Sequence, residues 1–171
     1  MVARIKLSGG KDWREKLAEA GIIYLETAEG VKAAMARYKL LATSRCSKTK
    51  TKQTGVPKEF YVSSQNMAFY NWCEKHKLRY GILSDEYGIH MDNEVREYYD
   101  IHPSKVSDEG FKKLAGLARA QLDRLGYQGV IYFNSSPIMS VPYFYLMQLT
   151  GTKVFYITKL HNLERKSIWD K

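Results

Sequence analysis

The sequence predicts a three-layer α/β domain with a mainly parallel central sheet of about four strands, formed by a single unit spanning all 171 residues. Three observations carry that reading. Near-continuous apolar runs recur at 38–43, 80–83, 129–133 and 154–157, and such runs suit strands buried on both faces. Segments with apolar residues at helical spacing separate them, and strands that alternate with helices pair in parallel through right-handed crossovers. The composition is that of a globular chain, 44% hydrophobic and 26% charged, which argues against disorder.

The elements follow in order. Trp13, Leu17 and Ala20 share one helical face, and Gly21 stops that helix. Ile22, Ile23, Tyr24 and Leu25 form a strand candidate, and Val31, Ala34, Met35 and Tyr38 a second helical stripe. Residues 1–37 therefore read as a helix–strand–helix extension of the domain. After the run at 38–43 comes a polar, basic loop from Ser44 to Lys58. Phe69, Trp72, Cys73 and His76 mark a helix before the run at 80–83. An acidic loop spans 85–100. Phe111, Leu114, Ala115, Ala118, Leu122 and Leu125 define a strongly amphipathic helix, with Ser107 as its N-cap and Gly126 as its stop. Ser136 reads as the cap of a further helix with Pro137 at its first position, closed by Gly151. Residues 159–171 form a basic tail.

Charge and cysteine usage exclude several classes. The 27 Lys and Arg against 18 Asp and Glu leave a net charge of +9, which favours polyanionic partners such as nucleic acid. No apolar run approaches the roughly 20 residues needed to span a bilayer, so no membrane partner is expected. The basic N-terminus lacks a following apolar core, so no secretory signal is expected. Cys46 and Cys73 are too few for a disulfide scaffold and point to a reducing, cytoplasmic compartment. No Cys/His spacing matches a structural zinc site, and no metal or cofactor is expected.

In open α/β sheets, ligands bind beyond the carboxyl ends of the strands. That rule selects the loops at 44–50, 84–88, 134–137 and 158–159. The first, Arg45-Cys46-Ser47-Lys48-Thr49-Lys50, sets a thiol, hydroxyls and cations directly after a strand. Cations there would lower the thiol pKa, and the turn could cradle a phosphate or carboxylate, although it has no Gly-x-x-x-x-Gly-Lys pattern. The plainer alternative is that Cys46 is a small buried hydrophobe and the lysines are solvated. Asp85 and Glu86 lie nearest a strand end and are the acid/base candidates; charge balancing between loops is the alternative. His102 precedes Pro103 and reads as a turn residue. His76 reads as packed on an apolar helix face. Asn134, Ser135 and Ser136 could bind an anion or a base edge, against simple capping by Ser136. The cluster Tyr143-Phe144-Tyr145 could stack on bases, but inside a helix it reads as packing.

At these loops the chain resembles a family of small, largely uncharacterised α/β proteins carrying a Cys-Ser-Lys-Thr-Lys motif, here Cys46 to Lys50. The resemblance extends through Pro57-Lys58-Glu59-Phe60-Tyr61-Val62-Ser63 and Ile82-Leu83-Ser84-Asp85-Glu86-Tyr87-Gly88. More remotely it is similar to the catalytic domain of archaeosine synthase, which acts on a 7-deazaguanine base in tRNA. Cys46, Tyr61 and Ser64 match that pattern, with Lys-Glu-Phe-Tyr standing where that enzyme has Lys-Pro-Tyr. The layout also resembles the uracil-DNA-glycosylase fold, in which loops grip an extruded base. These resemblances imply a nucleobase-directed enzyme acting on nucleic acid or a free base-like molecule. Cys46 is then the nucleophile. Lys48 lowers its pKa and binds anionic oxygens, with Ser47 and Lys50 beside it. Tyr61, Ser63, Ser64 and Ser84 line the pocket, Asp85 is the acid/base, and Asn134 and Ser135 read the base edge. The competing expectation is a non-catalytic nucleic-acid-binding module whose basic loop contacts phosphates.

Overall fold

The computed structural model describes residues 4–7, 12–47, 50 and 54–160. Six strands form one sheet: β1 (Ile22–Tyr24), β2 (Leu40–Arg45), β3 (Tyr80–Ser84), β4 (Gly88–Met91), β5 (Gly129–Phe133) and β6 (Lys153–Ile157). Their order is β1-β6-β5-β2-β3-β4, and every neighbouring pair is parallel except β3 with β4. The sheet therefore has six strands, not four. The segment expected in an N-terminal extension supplies β1, which pairs with β6 in the register Ile22 to Val154. The other addition, β4, lies inside the stretch expected to be an acidic loop. It is buried throughout, so its side chains face cores on both sides despite the charged flanks.

The helices are α1 (Trp13–Glu19), α2 (Ala28–Arg37), α3 (Pro57–Phe60), α4 (Ser64–Lys75), α5 (Asp108–Leu125) and α6 (Val141–Thr150). The α4 crossover carries the chain from β2 outward to β3, and the α6 crossover carries it from β5 the opposite way to β6. Right-handed connections then put α2 and α4 on one face and α5 and α6 on the other. The last two touch each other through the Phe111 and Tyr145 rings, 5.4 Å apart. The direction of winding reverses between the adjacent strands β2 and β5, and the crevice beyond such a reversal is where this class of sheet binds ligands.

The local signals account for most helix ends. Ser107 accepts a hydrogen bond from the Gly110 amide, and Gly126 ends α5 with a φ of 77° that only glycine adopts freely. One helix start differs from expectation. Ser136 caps only a single 3₁₀ turn, Ile138–Ser140, by accepting from the Met139 amide, and α6 begins at Val141 with Pro142 in its first turn. After β4 the chain climbs back to the carboxyl edge of the sheet, held by the bridge between Gly55 and Arg96 and by Tyr99 against Ser84. Residues 100–103 therefore stand beside the ends of β2 and β3. No helix among the described residues is long and apolar enough to cross a membrane.

Gly129 starts β5 where Lys153 of β6 passes closest. A Cβ on Gly129 would lie 2.3 Å from the Lys153 carbonyl oxygen and 2.8 Å from its Cβ. The clash is with backbone in a strand pair, so it cannot be relieved by a rotamer change. We expect Gly129→Ala to cost about 3 kcal/mol or more in urea unfolding, and a loss within 0.5 kcal/mol of zero, roughly the noise of a surface change, would contradict this packing.

Candidate active site

A cleft of about 690 Å³ opens at the winding reversal. Its floor is the end of β2, where Cys46 and Ser47 follow Arg45, together with Asp85 just beyond β3. Ser63, Ser64, Gln65 and Asn66 at the start of α4 form one wall. Asp100, Ile101, His102 and Pro103 form a second, and Ile138, Met139, Pro142 and Tyr143 a third. Ile138 and Met139 are 49% and 51% exposed, an apolar lip beside polar walls.

Three side chains meet on the floor. The Cys46 thiol donates to Asp85 Oδ2 at 3.1 Å, and the Tyr143 hydroxyl donates to the same oxygen at 3.2 Å. The sulfur and the phenol oxygen lie 3.2 Å apart, closing the triangle. Cys46 is 4% exposed but lines the cleft. Burial, and then the neighbouring Asp85 charge, push its thiol up to about 12; the Tyr143 hydrogen bond and Lys50 pull the other way. Cations were expected to lower this pKa. Full desolvation of a thiolate outweighs one partly solvated ammonium, so at neutral pH the sulfur is protonated. Burial also raises the Asp85 carboxyl above its ordinary value, opposed by hydrogen bonds from Cys46 and Tyr143 and by the charge of Lys50.

The sequence-predicted residues divide into three groups. Cys46, Ser47, Lys50, Ser63, Ser64 and Asp85 line the cleft together. Ser63 also caps α4 by accepting from the Asn66 amide, and Lys50 holds its ammonium 4.6 Å above the Tyr99 ring. Tyr61 and Ser84 are fully buried behind the floor, in a chain of hydroxyls that ends on His90, and do not border the cleft. Asn134 is buried and Ser135 exposed, and neither borders the cleft. Asn134 Oδ1 accepts from the Ser136 amide, while the Ser135 amide and hydroxyl donate to Gln65 Oε1 at 2.8 and 2.6 Å. They therefore brace Gln65, which lines the cleft in their place. Lys48 lies outside the described residues.

Tyr143 was missed as a site residue because an aromatic triplet in a helix reads as core. Phe144 and Tyr145 are core, but Tyr143 sits in the first turn of α6, where a side chain reaches the carboxyl edge. His102 was read as a turn residue, and its Nδ1 does accept from the Ser104 amide while its segment walls the cleft. His76 ends α4 with its ring 5.4 Å from that of Trp72. The loop at 158–159 stays away from the cleft: Thr158 pairs with the Tyr24 hydroxyl at 2.9 Å. Both cysteines are free thiols.

Compared with protein-family models, with curated proteins and with solved structures, the chain matches none.

Proposed function

We propose that the cleft is the active site of a nucleobase-directed enzyme in which Cys46 attacks an electrophilic carbon of a base-like ring. The observation that carries this reading is the thiol–carboxylate–phenol triangle, with Cys46 Sγ 3.1 Å and Tyr143 Oη 3.2 Å from one Asp85 oxygen, on the floor of the cleft. A thiol held neutral has to be activated at the moment of reaction, and a hydrogen-bonded carboxylate is the group that can do so. As the sulfur–carbon bond forms, the thiol proton passes to Asp85. The displaced electron pair moves onto a ring nitrogen or carbonyl oxygen, which takes a proton from the Tyr143 hydroxyl. Asp85 returns a proton to Tyr143 through their shared hydrogen bond, and the reverse transfers break the sulfur–carbon bond and release the ring. The cleft volume suits a nucleoside-sized molecule, and Ile138, Met139 and Pro103 offer apolar contact to the faces of a planar ring.

A panel of purine, pyrimidine and 7-deazaguanine bases and nucleosides tests this. At least one is expected to raise the thermal midpoint and to shield Cys46 from alkylation by iodoacetamide. Tyr143→Phe is expected to lower turnover of that compound by about 10²-fold or more, the scale of a lost general acid. If no member of the panel stabilises the protein or protects the sulfur, the nucleobase reading fails.

A further inference from the structure

The amino-terminal edge of the sheet, opposite the cleft, carries a row of exposed cations. The register sets Lys153 at the start of β6, beside Gly129 at the start of β5 and, one strand further, Leu40 at the start of β2. Tyr38 and Lys39 precede Leu40, and Arg37 ends α2 just before them. The backbone ties these strand starts together: the Lys153 amide donates to the Gln128 carbonyl, and the Gln128 amide to the Lys39 carbonyl. The length of β2, roughly 20 Å, separates this edge from Cys46.

Aromatic rings fix the cations. Arg37 and Lys153 both lie on the ring of Tyr38, 5.2 and 4.7 Å from its centre. Tyr38 is itself half-buried against Phe155, with the ring centres 6.0 Å apart. The two charges are thereby held within about one Debye length of each other. Lys39 reaches toward the other helical layer, its ammonium 4.8 Å above the Tyr127 ring. Arg124 is exposed in the last turn of α5 on that side. The row therefore wraps the edge from α2 to α5.

Part of this charge serves the fold. The Lys39 ammonium donates to the Leu125 carbonyl at 3.0 Å and completes the end of α5, with further N–H donors left over. Arg119 does the same for α6 through the Thr150 carbonyl and is paired with Asp123. Arg37 and Lys153 are different. Neither takes part in an ion pair among the described residues. The carboxylates at this edge do not offset them, because Asp92 is held by Arg79 and Asp123 by Arg119. Two like charges on one ring repel, and an anion beside them replaces that repulsion with attraction.

We propose that Arg37, Lys39 and Lys153 form a contact surface for the phosphodiester backbone of a nucleic acid, remote from the cleft and independent of base sequence. A row of fixed cations along an open edge, with no pocket behind it, suits a linear polyanion rather than a small molecule. The net charge of +9 steers such a partner toward the protein. An anionic membrane fits less well, because it takes several apolar side chains set among the cations. Of the exposed large apolar side chains among the described residues, only Ile23 belongs to a strand next to this row. The inference stands apart from the nucleobase reading of the cleft.

The test measures binding of the full chain to a fluorescent single-stranded oligonucleotide and to its duplex, between about 50 and about 200 mM salt. At least one is expected to bind, with affinity falling as salt rises by a slope of about −0.7 per phosphate contact for the single strand or about −0.9 for the duplex. The double variant Arg37→Glu, Lys153→Glu is expected to bind about tenfold or more weakly at the lower salt, with the slope flattened by about 2. The control Lys112→Glu, Lys113→Glu makes the same change in net charge at exposed positions of α5 and is expected to bind within about threefold of the wild type. Arg37→Gln, Lys153→Gln removes the mutual repulsion without adding charge. It should lose affinity while keeping or raising the thermal midpoint, which separates loss of the surface from loss of the fold. Equal losses in the reversal variant and the control would mean that net charge alone binds, and would overturn the surface. So would no binding at the lower salt, or loss of binding on Lys50→Gln with none on changing Arg37 and Lys153. Tighter binding to phosphatidylserine vesicles than to either oligonucleotide, removed by the same reversal variant, would overturn the nucleic-acid assignment in favour of a membrane.

Discussion

Asp85→Asn is expected to make Cys46 react faster with iodoacetamide while ending turnover. Burial holds the thiol up near 12, and the Asp85 charge and hydrogen bond are the next causes in the same direction. An amide removes the negative charge and leaves the cleft unchanged in size. The thiolate fraction at pH 8 to 9 should then rise by about tenfold or more, since each unit of pKa is tenfold in that fraction. The same change removes the group that accepts the thiol proton during attack on a substrate. A reactive cysteine in an inactive protein is the distinguishing pair of results. Equal or slower alkylation in the variant would mean that Asp85 does not hold the thiol down.

The same substitution has a stability consequence with a definite sign. The folded-state pKa of Asp85 is raised, chiefly by burial. Its contribution to stability is therefore complete below the unfolded value near 4 and is lost as pH rises through the raised folded value. At pH 7.5 the wild type carries a buried carboxylate whose cost the amide avoids, so Asp85→Asn should melt a few degrees higher. At pH 4 the difference should shrink toward zero. A midpoint that falls at pH 7.5 would show that the two hydrogen bonds to the carboxylate outweigh its desolvation.

Features with a local physical cause were legible in the sequence, and features made by assembly were not. Ser107, the apolar stripe of α5 and Gly126 act within one helix, and that helix runs from Asp108 to Leu125 as the pattern requires. The run at 129–133 matches β5. By contrast, β4 is four residues long and flanked by charge, and the packing of α5 against it makes it interior; Gln121 bonds both the amide and the carbonyl of Ile89. The rule that ligands lie beyond the strand ends picks out Cys46, Ser47, Lys50 and Asp85, and these four line one cleft. It could not show that α4 and residues 100–103 would supply two of the walls. The protonation state of Cys46 was misjudged because adjacent lysines are visible in a sequence, whereas burial is not.

Tyr61 illustrates the remaining gap, and Tyr61→Phe decides between its two roles. The hydroxyl chain behind the floor has one consistent direction. His90 Nε2 donates to the Glu94 carbonyl at 2.6 Å, so Nδ1 must accept, and Tyr61 donates to it at 3.2 Å. The Tyr61 oxygen in turn accepts from Tyr99 at 3.1 Å, and Tyr99 accepts from Ser84 at 2.8 Å. Ser84 closes the chain by accepting from the Glu86 and Tyr87 amides, which shapes the turn that carries Asp85. Removing one hydroxyl strands two buried groups, His90 Nδ1 and the Tyr99 O–H. Each orphan costs roughly 1 to 3 kcal/mol, so the variant should lose about 2 to 6 kcal/mol in denaturant unfolding. Affinity for cleft ligands should stay within about twofold, since Tyr61 borders none of the cleft. The pH dependence provides a second reading. Burial lowers the pKa of His90, so its contribution to stability is present above the ordinary histidine value and is lost as pH falls toward the lowered one. Protonation would also set a new N–H against the Tyr61 O–H. With phenylalanine at 61 that opposition is gone, and stability should fall less steeply below about pH 6.5 than in the wild type. Unchanged unfolding with a large loss of ligand affinity would instead put the Tyr61 hydroxyl in the cleft.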